Sequence, residues 1–477
     1  MSKINELFDQ ELKVINVGNP NFKKDLASQD VEVIDLDWQP PAGGKVELIN
    51  ALDRLSKHQT KISEANKKVV EILKTSQARL IDIDQAINVV PDMKKNLILH
   101  AGPPVAWEDM SGPMEGAVIG ALIYEGLAED EEAARKLAAS GEIEFAPCHE
   151  HSAVGPMAGV MSASMPVHIV KNNKYGNKVY CTVNEGLGKV LRFGAFSNEV
   201  IERLKFIENT YAPALKKALA LTDEGIDLKA IISQALHMGD ECHNRNKAST
   251  SLFFREITPY FLEADIKKNV LEESINFIKE NDHYFLNLSM PTCKAALDAA
   301  HGIENSTIVT TMARNGVEFG LRISSMDEDQ WFTGPAQMVK GLLFPGYTEE
   351  DASPDIGDST IAETMGLGGF VMGGAPAIVQ FVGGTVDDAI NYSKQMYEIT
   401  ESENNNFSIP NLNFRGSAIG IDVMKVIEGC RILKINTEIA DKRPGVGQVG
   451  AGVVNPPVEC FEKAIVELSN KIAGSED

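Results

Sequence analysis

Cysteines are few and dispersed in this sequence of 477 residues. They form no Cys-x-x-Cys pair and no dense framework, and they stand at Cys148, Cys181, Cys242, Cys293, Cys430 and Cys460. This spacing is typical of free thiols in a reducing compartment. The first residues, MSKINELFDQELK, also lack the apolar core of a signal peptide. We therefore expect a cytoplasmic protein.

Positive charge is scarce as well. Lys and Arg number 45 against 68 Asp and Glu, which gives a formal net charge of -23 and a pI of about 4.9. A surplus of negative charge repels phosphate backbones and anionic lipid headgroups. Nucleic acids and membranes are therefore not expected partners, and an anionic substrate would need arginines collected in one place.

A hydrophobic run suited to a membrane helix is missing. The one stretch long enough, TMGLGGFVMGGAPAIVQFVGGTV from Thr364 to Val386, carries no charge but contains seven glycines, Pro376 and Gln380. Such residues make a poor lipid-facing helix, whereas tight turns inside a core need them. The sequence predicts a buried glycine-rich segment.

Several motifs of nucleotide and acyl chemistry are absent. The sequence has no G-x-S-x-G elbow and no Walker loop, so acyl hydrolysis and nucleoside triphosphate chemistry lack support. A formal G-x-G-x-x-G lies in RPGVGQVGAG, from Arg443 to Gly452, but Pro456 and Pro457 separate it from the next helix. A dinucleotide fingerprint should open a helix directly. A plain glycine-rich loop, or a backbone nest for an anion, remains.

The length and the residue patterns indicate an α/β protein of about three structural units. A small amino-terminal α/β unit contains LKVINVG (12–18) and VEVIDLDW (31–38), two strands that a short helix should join in parallel. A helix is expected from Lys45 to about Arg79. A larger mixed α/β body follows, interrupted by a helical block. The predicted ranges are 1–95 for the small domain with its following helix, 96–197 and 306–477 for the two parts of the body, and 198–305 for the helical block.

The densest polar cluster is HMGDECHNRN, which follows the apolar helical stretch IISQAL. The cluster either extends that helix or ends it near Gly239. A carboxylate beside an imidazole fixes the tautomer and raises basicity, as general acid–base catalysis requires. The candidate catalytic residues are His237, Asp240, Glu241, His243 and Arg245. The alternative is a capped helix end whose polar groups satisfy the backbone.

A second cluster, Cys148-His149-Glu150-His151, precedes a stretch of small residues. Two imidazoles at this spacing can face one side of a strand, as in many metal sites, although structural pairs of this kind are equally common. We expect His149 and His151 to bind substrate, with no metal and no cofactor. The alternative is a divalent ion held by His149, His151, His237 and Glu241.

Arginines beside glycines are the third feature. Arg314-Asn315-Gly316 ends a strand-like run, Arg322 follows in GLRISS, and Arg415-Gly416 follows PNLNF. The planar guanidinium matches a carboxylate or phosphate, and a glycine lets a ligand approach the backbone. Arg314, Asn315, Arg322 and Arg415 are therefore candidate substrate contacts. A further polar segment, DIGDSTIAET from Asp355 to Thr364, could cap a helix or orient a substrate.

Several segments together resemble the AllG (YlbE) family. They are QALHMGDECHNRN (234–246), TMARNGVEFGLRISS (311–325), WFTGPAQMVKGLLFPGY (331–347), DIGDSTIAETMGLGGF (355–370) and APAIVQFVGGT (375–385). The resemblance extends from LKVINVG through RPGVGQVGAGV. The amino-terminal INVGNPNFKKDL and DLDWQPPAGG are also similar to the carboxy-terminal end of FdrA-type proteins.

The resemblance implies a subunit of an oxamate carbamoyltransferase in allantoin and purine breakdown, acting in an oligomer with FdrA-like and AllH-like partners. The reaction interconverts carbamoyl phosphate and oxamate with oxalurate and phosphate. The Ser-Thr-Arg-Thr and His-Pro-x-Gln motifs of the familiar transcarbamylases are absent, so the transfer would use an unrelated site. Two alternatives are a non-catalytic assembly subunit and a component of a CoA-linked ligase, for which a phosphohistidine would be diagnostic.

Overall fold

The computed structural model describes residues 13–17, 20–36 and 40–474. Its first unit consists of β1 (Lys13–Val17), α1 (Pro20–Ala27) and β2 (Glu32–Leu36), and the two strands pair in parallel as expected. The predicted strand ends at 12, 18 and 37–38 lie outside the described residues. Residues 1–12 of the amino-terminal segment MSKINELFDQELK also lie outside them.

Helices and strands alternate in the next part of the chain, which contains α2 (Val46–Ser56), α3 (Gln59–Thr75), β3 (Ala78–Gln85), α4 (Ala86–Val89), β4 (Leu97–His100), α5 (Gly112–Tyr124), α6 (Glu131–Ala139), β5 (Glu144–Pro147), β6 (Pro166–Asn172) and β7 (Lys178–Thr182). The expectation of helix up to Arg79 was wrong at its end. ARLIDIDQ places alternate side chains toward the core and pairs with β6, so it forms a strand.

The helical block is confirmed. It contains α7 (Asn198–Phe206), a π-helical turn (Ile207–Tyr211), α8 (Ala212–Leu219), the short β8 (Ile226–Asp227), α9 (Leu228–His237), α10 (Lys247–Glu263), α11 (Lys268–Lys279) and α12 (Leu286–Ala299). These helices cover the antiparallel sheet β7-β6-β3-β8, and α12 contacts β6 and β7. Phe253 and Tyr284 stack with ring centroids 5.4 Å apart inside this core.

The last part of the chain contains β9 (Val309–Asn315), β10 (Glu318–Ile323), β11 (Phe332–Pro335), β12 (Lys340–Leu343), β13 (Ile356–Gly357), α13 (Ile361–Thr364), α14 (Val379–Val382), α15 (Val386–Met396), β14 (Thr400–Ile409), β15 (Arg415–Ile421), α16 (Val423–Glu428), β16 (Ile435–Ala440), β17 (Gln448–Val454) and α17 (Val458–Gly474). Its sheets, β11-β10-β9-β13, β12-β17-β16 and β14-β15, are antiparallel. Helix α17 packs against α2 and β11. The predicted α/β class is confirmed.

The glycine-rich segment from Thr364 to Val386 has two parts of different structure. Residues from Thr364 to Ala375 are buried and form short 3-10 turns, whereas the part from Pro376 to Val386 is partly exposed. Within the described ranges, no helix has the length and apolar character that would span a bilayer. The formal G-x-G-x-x-G runs into the antiparallel strand β17, so its glycines belong to a loop and a sheet.

One glycine fixes the approach of two distant segments and gives a stability test. Gly102 has a φ of +85°, and a Cβ on it would lie 2.5 Å from the backbone carbon of Arg314 and from the nitrogen of Asn315. Gly176 has nearly the same φ, +86°, but open space around it. We expect Gly176→Ala to cost about 1–2 kcal/mol through its backbone conformation, and Gly102→Ala to cost about 2 kcal/mol more through the collision.

The free energy of unfolding of both variants, measured by urea denaturation, checks this expectation. Because the two glycines share one backbone conformation, the difference between the variants isolates the collision. Equal losses would show that the Gly102 contact is not tight.

Candidate functional site

Six buried polar residues converge in the interior, and we refer to them as the buried polar centre. The loop after α9, the segment after β13, strand β16 and the turn before α12 supply them: Glu241, His243, Asn244, Glu363, Asn436 and His283. Each is more than nine-tenths buried. A buried polar cluster of this size needs either internal partners or a bound ligand.

The loop that carries three of these residues starts where α9 ends, at His237. Of the two alternatives for the HMGDECHNRN cluster, the structure therefore has the helix ending rather than continuing. Gly239 and Cys242 adopt positive φ angles of +85° and +59°, which turn the chain inward. Asp240 then accepts hydrogen bonds from the backbone nitrogen and hydroxyl of Ser249, in the first turn of α10.

His243 and Glu363 form the central pair. His243 Nδ1 lies 2.9 Å from Glu363 Oε1, which also accepts from the backbone nitrogen of Gly369 at 2.9 Å. Burial opposes protonation of His243, but the Glu363 carboxylate outweighs it and raises the pKa of the imidazole. Because Nδ1 is held by Glu363, Nε2 is the nitrogen that a ligand can contact.

Glu241 is the second carboxyl group of the centre. Its Oε1 accepts a short hydrogen bond from the backbone nitrogen of Arg245. Burial raises the pKa of Glu241 to about 7, although nearby His243 and Asn436 favour its charged form. A carboxyl group with this pKa exchanges a proton near neutral pH, as acid–base catalysis requires.

Several atoms of the centre have no hydrogen-bond partner within the described part of the chain. They are Glu241 Oε2, Glu363 Oε2, Asn244 Nδ2, His283 Nδ1 and both polar side-chain atoms of Asn436. Leaving a buried donor or acceptor unsatisfied costs about 1–3 kcal/mol. The centre is therefore equipped to hold a small polar ligand or ordered water.

Arg314 lies in the same region, and the protein itself occupies its guanidinium. Nε and Nη2 donate to the two oxygens of Asp355 at 2.8 Å, and Nη1 donates to the carbonyl of Gly357 at 2.7 Å. The two remaining N–H groups bind the hydroxyls of Thr360 and Thr437. All five donors are thus engaged, and the side chain is fully buried.

A second buried cluster surrounds His149, which lies in a 3-10 turn. Its Nδ1 is 3.2 Å from the ammonium of Lys294, and its Nε2 is 3.5 Å from Asp358 Oδ1. Lys294 also donates to Asp298 at 2.9 Å. Burial raises the pKa of Asp358 to about 7, while the backbone nitrogens of Gly102 and Gly155 bind its carboxylate. This cluster chains two acids, an imidazole and an ammonium together.

Of the other predicted site residues, Arg322 adjoins the His149 cluster, where its charge acts on His149 and Lys294, and the rest lie outside both clusters. His237 is exposed and hydrogen-bonds Ser408, Arg245 is partly exposed with Nε 3.6 Å from Asp240, and His151 binds the carbonyl of Pro91. Arg322 is buried, where its guanidinium binds Thr311 and lies 5.0 Å from the Trp331 ring.

Asn315 and Arg415 also have local structural partners. Asn315 accepts from the backbone nitrogens of Val317 and Glu318 and so shapes the β9–β10 turn. Arg415 is half-exposed, pairs with Glu403 at 2.8 Å and stacks on Tyr397. The structure therefore does not bring Arg415 together with Arg314.

Sequence reasoning did not select three important residues. Asn436 lies in an ordinary buried strand sequence, INTEIA, and Lys294 lies inside an apolar helix. His283 stands alone in a turn before α12. Glu363 was only one member of a mixed polar segment. The available sequence signal was a polar residue where an apolar one is expected, an asparagine in a buried strand or a lysine in an apolar helix. Such a residue indicates a site only when its neighbours in space are known.

A cavity of about 750 Å³ lies next to the buried polar centre. Gly186 and Asn281 line it. Each is connected to His283 of the centre through one or two intermediate residues. The carbonyl of Gly186 accepts from Arg192, which contacts Glu438 at 3.2 Å, and Glu438 lies 3.9 Å from His283. Asn281 donates to the backbone carbonyl of Asn184. The side-chain amide of Asn184 in turn donates to the backbone carbonyl of His283.

The metal alternative finds no cluster to support it. In the part of the chain that the structure describes, no three His, Cys, Asp or Glu side chains are grouped as metal ligands. His149, His237 and Glu241 instead contact Lys294, Ser408 and the Arg245 backbone.

Comparison with known proteins identifies similar chains over almost the whole length. The family model described as "Oxamate carbamoyltransferase subunit AllG" matches residues 143–359. The Escherichia coli (strain K12) protein of that name is 42% identical over 415 residues, which are 87% of this chain and 99% of that protein. The uncharacterized protein YahG of the same organism is 53% identical over 462 residues, which are 96% and 98% of the two chains.

One solved structure is similar as well. The crystal structure of a conserved protein of unknown function from Enterococcus faecalis V583 matches with a TM-score of 0.84 and 53% identity. The match covers 86% of this chain and 97% of that chain. At this identity the fold is shared with a protein whose crystal structure has been determined.

The buried Glu241 carboxyl predicts a specific dependence of stability on pH. Its pKa is raised from 4.5 to about 7, so the folded state binds the proton more tightly than the unfolded state. Stability from this group is therefore complete below about pH 4.5 and is lost as pH rises to 7. Glu241→Gln, which cannot ionise, should stabilise the protein at pH 8 by up to about 3 kcal/mol relative to the wild type.

Thermal unfolding of wild type and Glu241→Gln between pH 5 and pH 8 measures this effect. The difference in Tm should grow with pH, because only the wild type must bury the charge. Glu125→Gln is the matched control, since Glu125 accepts hydrogen bonds from Ser162 and Ser164. A difference in Tm that is independent of pH would contradict the raised pKa.

Proposed function

Because the chain belongs to the AllG family, we propose that it is a subunit of an oxamate carbamoyltransferase. The observation that carries the proposal is the 42% identity to the E. coli oxamate carbamoyltransferase subunit AllG, over 99% of the length of that protein. The reaction interconverts oxamate and carbamoyl phosphate with oxalurate and phosphate. The partners are FdrA-like and AllH-like subunits, and the complex acts in the cytoplasm.

The reaction requires one proton transfer and the displacement of phosphate. The amide nitrogen of oxamate forms a bond to the carbamoyl carbon, while the bond from that carbon to the bridging oxygen of phosphate breaks. The electron pair of the broken bond leaves with phosphate. The attacking nitrogen loses one proton, which passes through an enzyme base to the released phosphate. An amide nitrogen is a weak nucleophile, so a positioned base is essential.

His243 is the proposed base. Glu363 holds Nδ1 at 2.9 Å, which orients the ring and stabilises the imidazolium that forms when Nε2 takes the proton. Glu363 itself is fixed by the backbone nitrogens of Gly369 and Asn436. The pair is buried, so the electrostatic effect of the carboxylate on the imidazole is weakly screened.

The anionic groups of the substrates require positive charge. Arg314 supplies a fixed positive charge that acts on both His243 and Asp358, while its donors bind protein groups. The partly exposed Arg245, adjacent to the loop of the centre, is the proposed contact for a carboxylate or phosphate. The other predicted substrate contacts are His149, His151, Arg322, Asn315 and Arg415.

A non-catalytic assembly subunit is the second candidate. The observation that favours it is the complete engagement of Arg314, the most buried of the predicted anion contacts, by Asp355 and neighbouring oxygens. In that case the FdrA-like partner would carry the base, and the buried polar centre would be a folding feature.

Replacing the proposed base distinguishes the two candidates. His243→Asn keeps an N–H donor toward Glu363 but removes the imidazole, so we expect turnover to fall by about 100-fold or more without loss of folding. The assay is phosphate-dependent breakdown of oxalurate by the purified chain, alone and with its FdrA-like and AllH-like partners.

His58→Asn is the control, because His58 lies at the junction of α2 and α3 and outside the centre. Gel filtration of each variant with the partners verifies that the complex still assembles. Wild-type turnover by an assembled His243→Asn complex would exclude His243 as the base and favour the assembly role.

A further inference from the structure

The unpartnered atoms of the buried polar centre are of two kinds. Glu241 Oε2 and Glu363 Oε2 are acceptors, each on a side chain that is fully buried. Asn436 adds one donor and one acceptor, Nδ2 and Oδ1, and its side chain is fully buried too. A ligand that satisfies them must offer N–H groups to the carboxyl oxygens and both an N–H and a carbonyl to the amide.

The charges of the surroundings exclude an anionic group at this position. Glu241 and Glu363 are close enough for the charge of one to affect the other. Of the two buried groups near them that can carry positive charge, Arg314 is already paired with Asp355 and His243 with Glu363. A carboxylate or phosphate oxygen beside the two carboxyl groups would therefore meet like charge and unpaired acceptors, which costs several kcal/mol.

A simple cation fits less well than an amide. An ammonium would offer donors to Glu241 and Glu363 but no acceptor to Asn436 Nδ2, whose contact with Glu241 falls short of a full hydrogen bond. A planar carboxamide offers an N–H and a C=O side by side, in the same arrangement that the Asn436 amide presents in return. Of these two, only a group with both functions satisfies the free atoms of Glu241, Glu363 and Asn436 together.

Gly368 allows the segments that carry Glu241 and Glu363 to approach closely. Gly368 has a φ of +56°, and a Cβ there would lie 2.2 Å from Glu363 Oε1 and 3.0 Å from His243 Nδ1. The backbone nitrogen of Gly368 also donates to the carbonyl of Glu241 at 3.0 Å. The segments that carry Glu241 and Glu363 are thereby held together.

We infer that the buried polar centre is a binding site for a carboxamide or ureido group, whose N–H hydrogens are accepted by Glu241 and Glu363 and whose amide face pairs with Asn436. This inference rests on the proposed function and makes it more specific. Glu241 and Glu363 thereby select the amide end of the substrate over a carboxylate of the same shape.

The site assignment predicts discrimination between oxamate and oxalate. Oxalate replaces the amide with a second carboxylate of nearly the same shape, which cannot donate to Glu241 or Glu363. We expect the wild-type complex with its FdrA-like and AllH-like partners to bind oxamate at least about 100-fold more tightly than oxalate, because a site built for N–H donors rejects a ligand without them. Isothermal titration calorimetry with each compound measures the ratio.

Glu241→Gln is the decisive variant. Its amide can keep the acceptor for the Arg245 backbone nitrogen, and it then turns an N–H donor toward the ligand. We expect the affinity for oxamate to fall about 10-fold or more and the affinity for oxalate to stay the same or rise. Glu363→Gln should act in the same direction, and Glu125→Gln should change neither affinity.

The outcomes separate the inference from the proposed function. Equal binding of oxamate and oxalate by the wild type, no binding of oxamate at millimolar concentration, or unchanged oxamate affinity in Glu241→Gln would each overturn the inference. If the complex still releases oxamate from oxalurate in those cases, the proposed function stands. If it shows no such turnover yet binds urea and oxamate with the Glu241-dependent preference, the proposed function fails and the amide site stands.

Discussion

The Arg314–Asp355 ion pair is the interaction on which the interior depends. It connects the end of β9 with the segment after β12, and the same guanidinium reaches Gly357, Thr360 and Thr437 on β16. Removing one partner of such a buried pair leaves an uncompensated charge and typically costs 3–5 kcal/mol. Glu363 and Asn436 lie on the segments that this guanidinium joins, so their placement depends on it.

This arrangement changes the role expected of Arg314. An arginine next to an asparagine and a glycine at a strand end resembles an anion contact, because a sequence does not show which acceptor will face the guanidinium. Asp355 lies 41 positions later in the chain, and only the pairing of β13 with β9 brings it close. A charged residue at a promising position can thus serve as a fixed internal charge.

Sequence patterns predicted the elements whose structure depends on residues close together in the chain. The helical block, the strand that contains Arg314 and the parallel β1–β2 pair follow from periodicity, turn residues and connection length. Strand β3 was missed because ARLIDIDQ follows a polar helix without a turn signal, and its pairing with β6 decides its state. The loop of the centre was found, whereas Asn436 and Lys294 were not, since their chemistry arises from neighbours more than 70 residues away.

The charge balance of the chain also has a consequence inside the protein. The surplus of acidic residues, with a net charge of -23, extends from the surface into the centre, where free acceptors outnumber free donors. If Glu241 and Glu363 hold the amide end of a substrate, the same centre cannot hold its phosphate, because the nearest buried guanidinium has no donor left. The phosphate must then contact side chains nearer the surface or residues of another subunit. Under the proposed function, a division of this kind would explain why a chain with a buried acid–base pair requires further subunits.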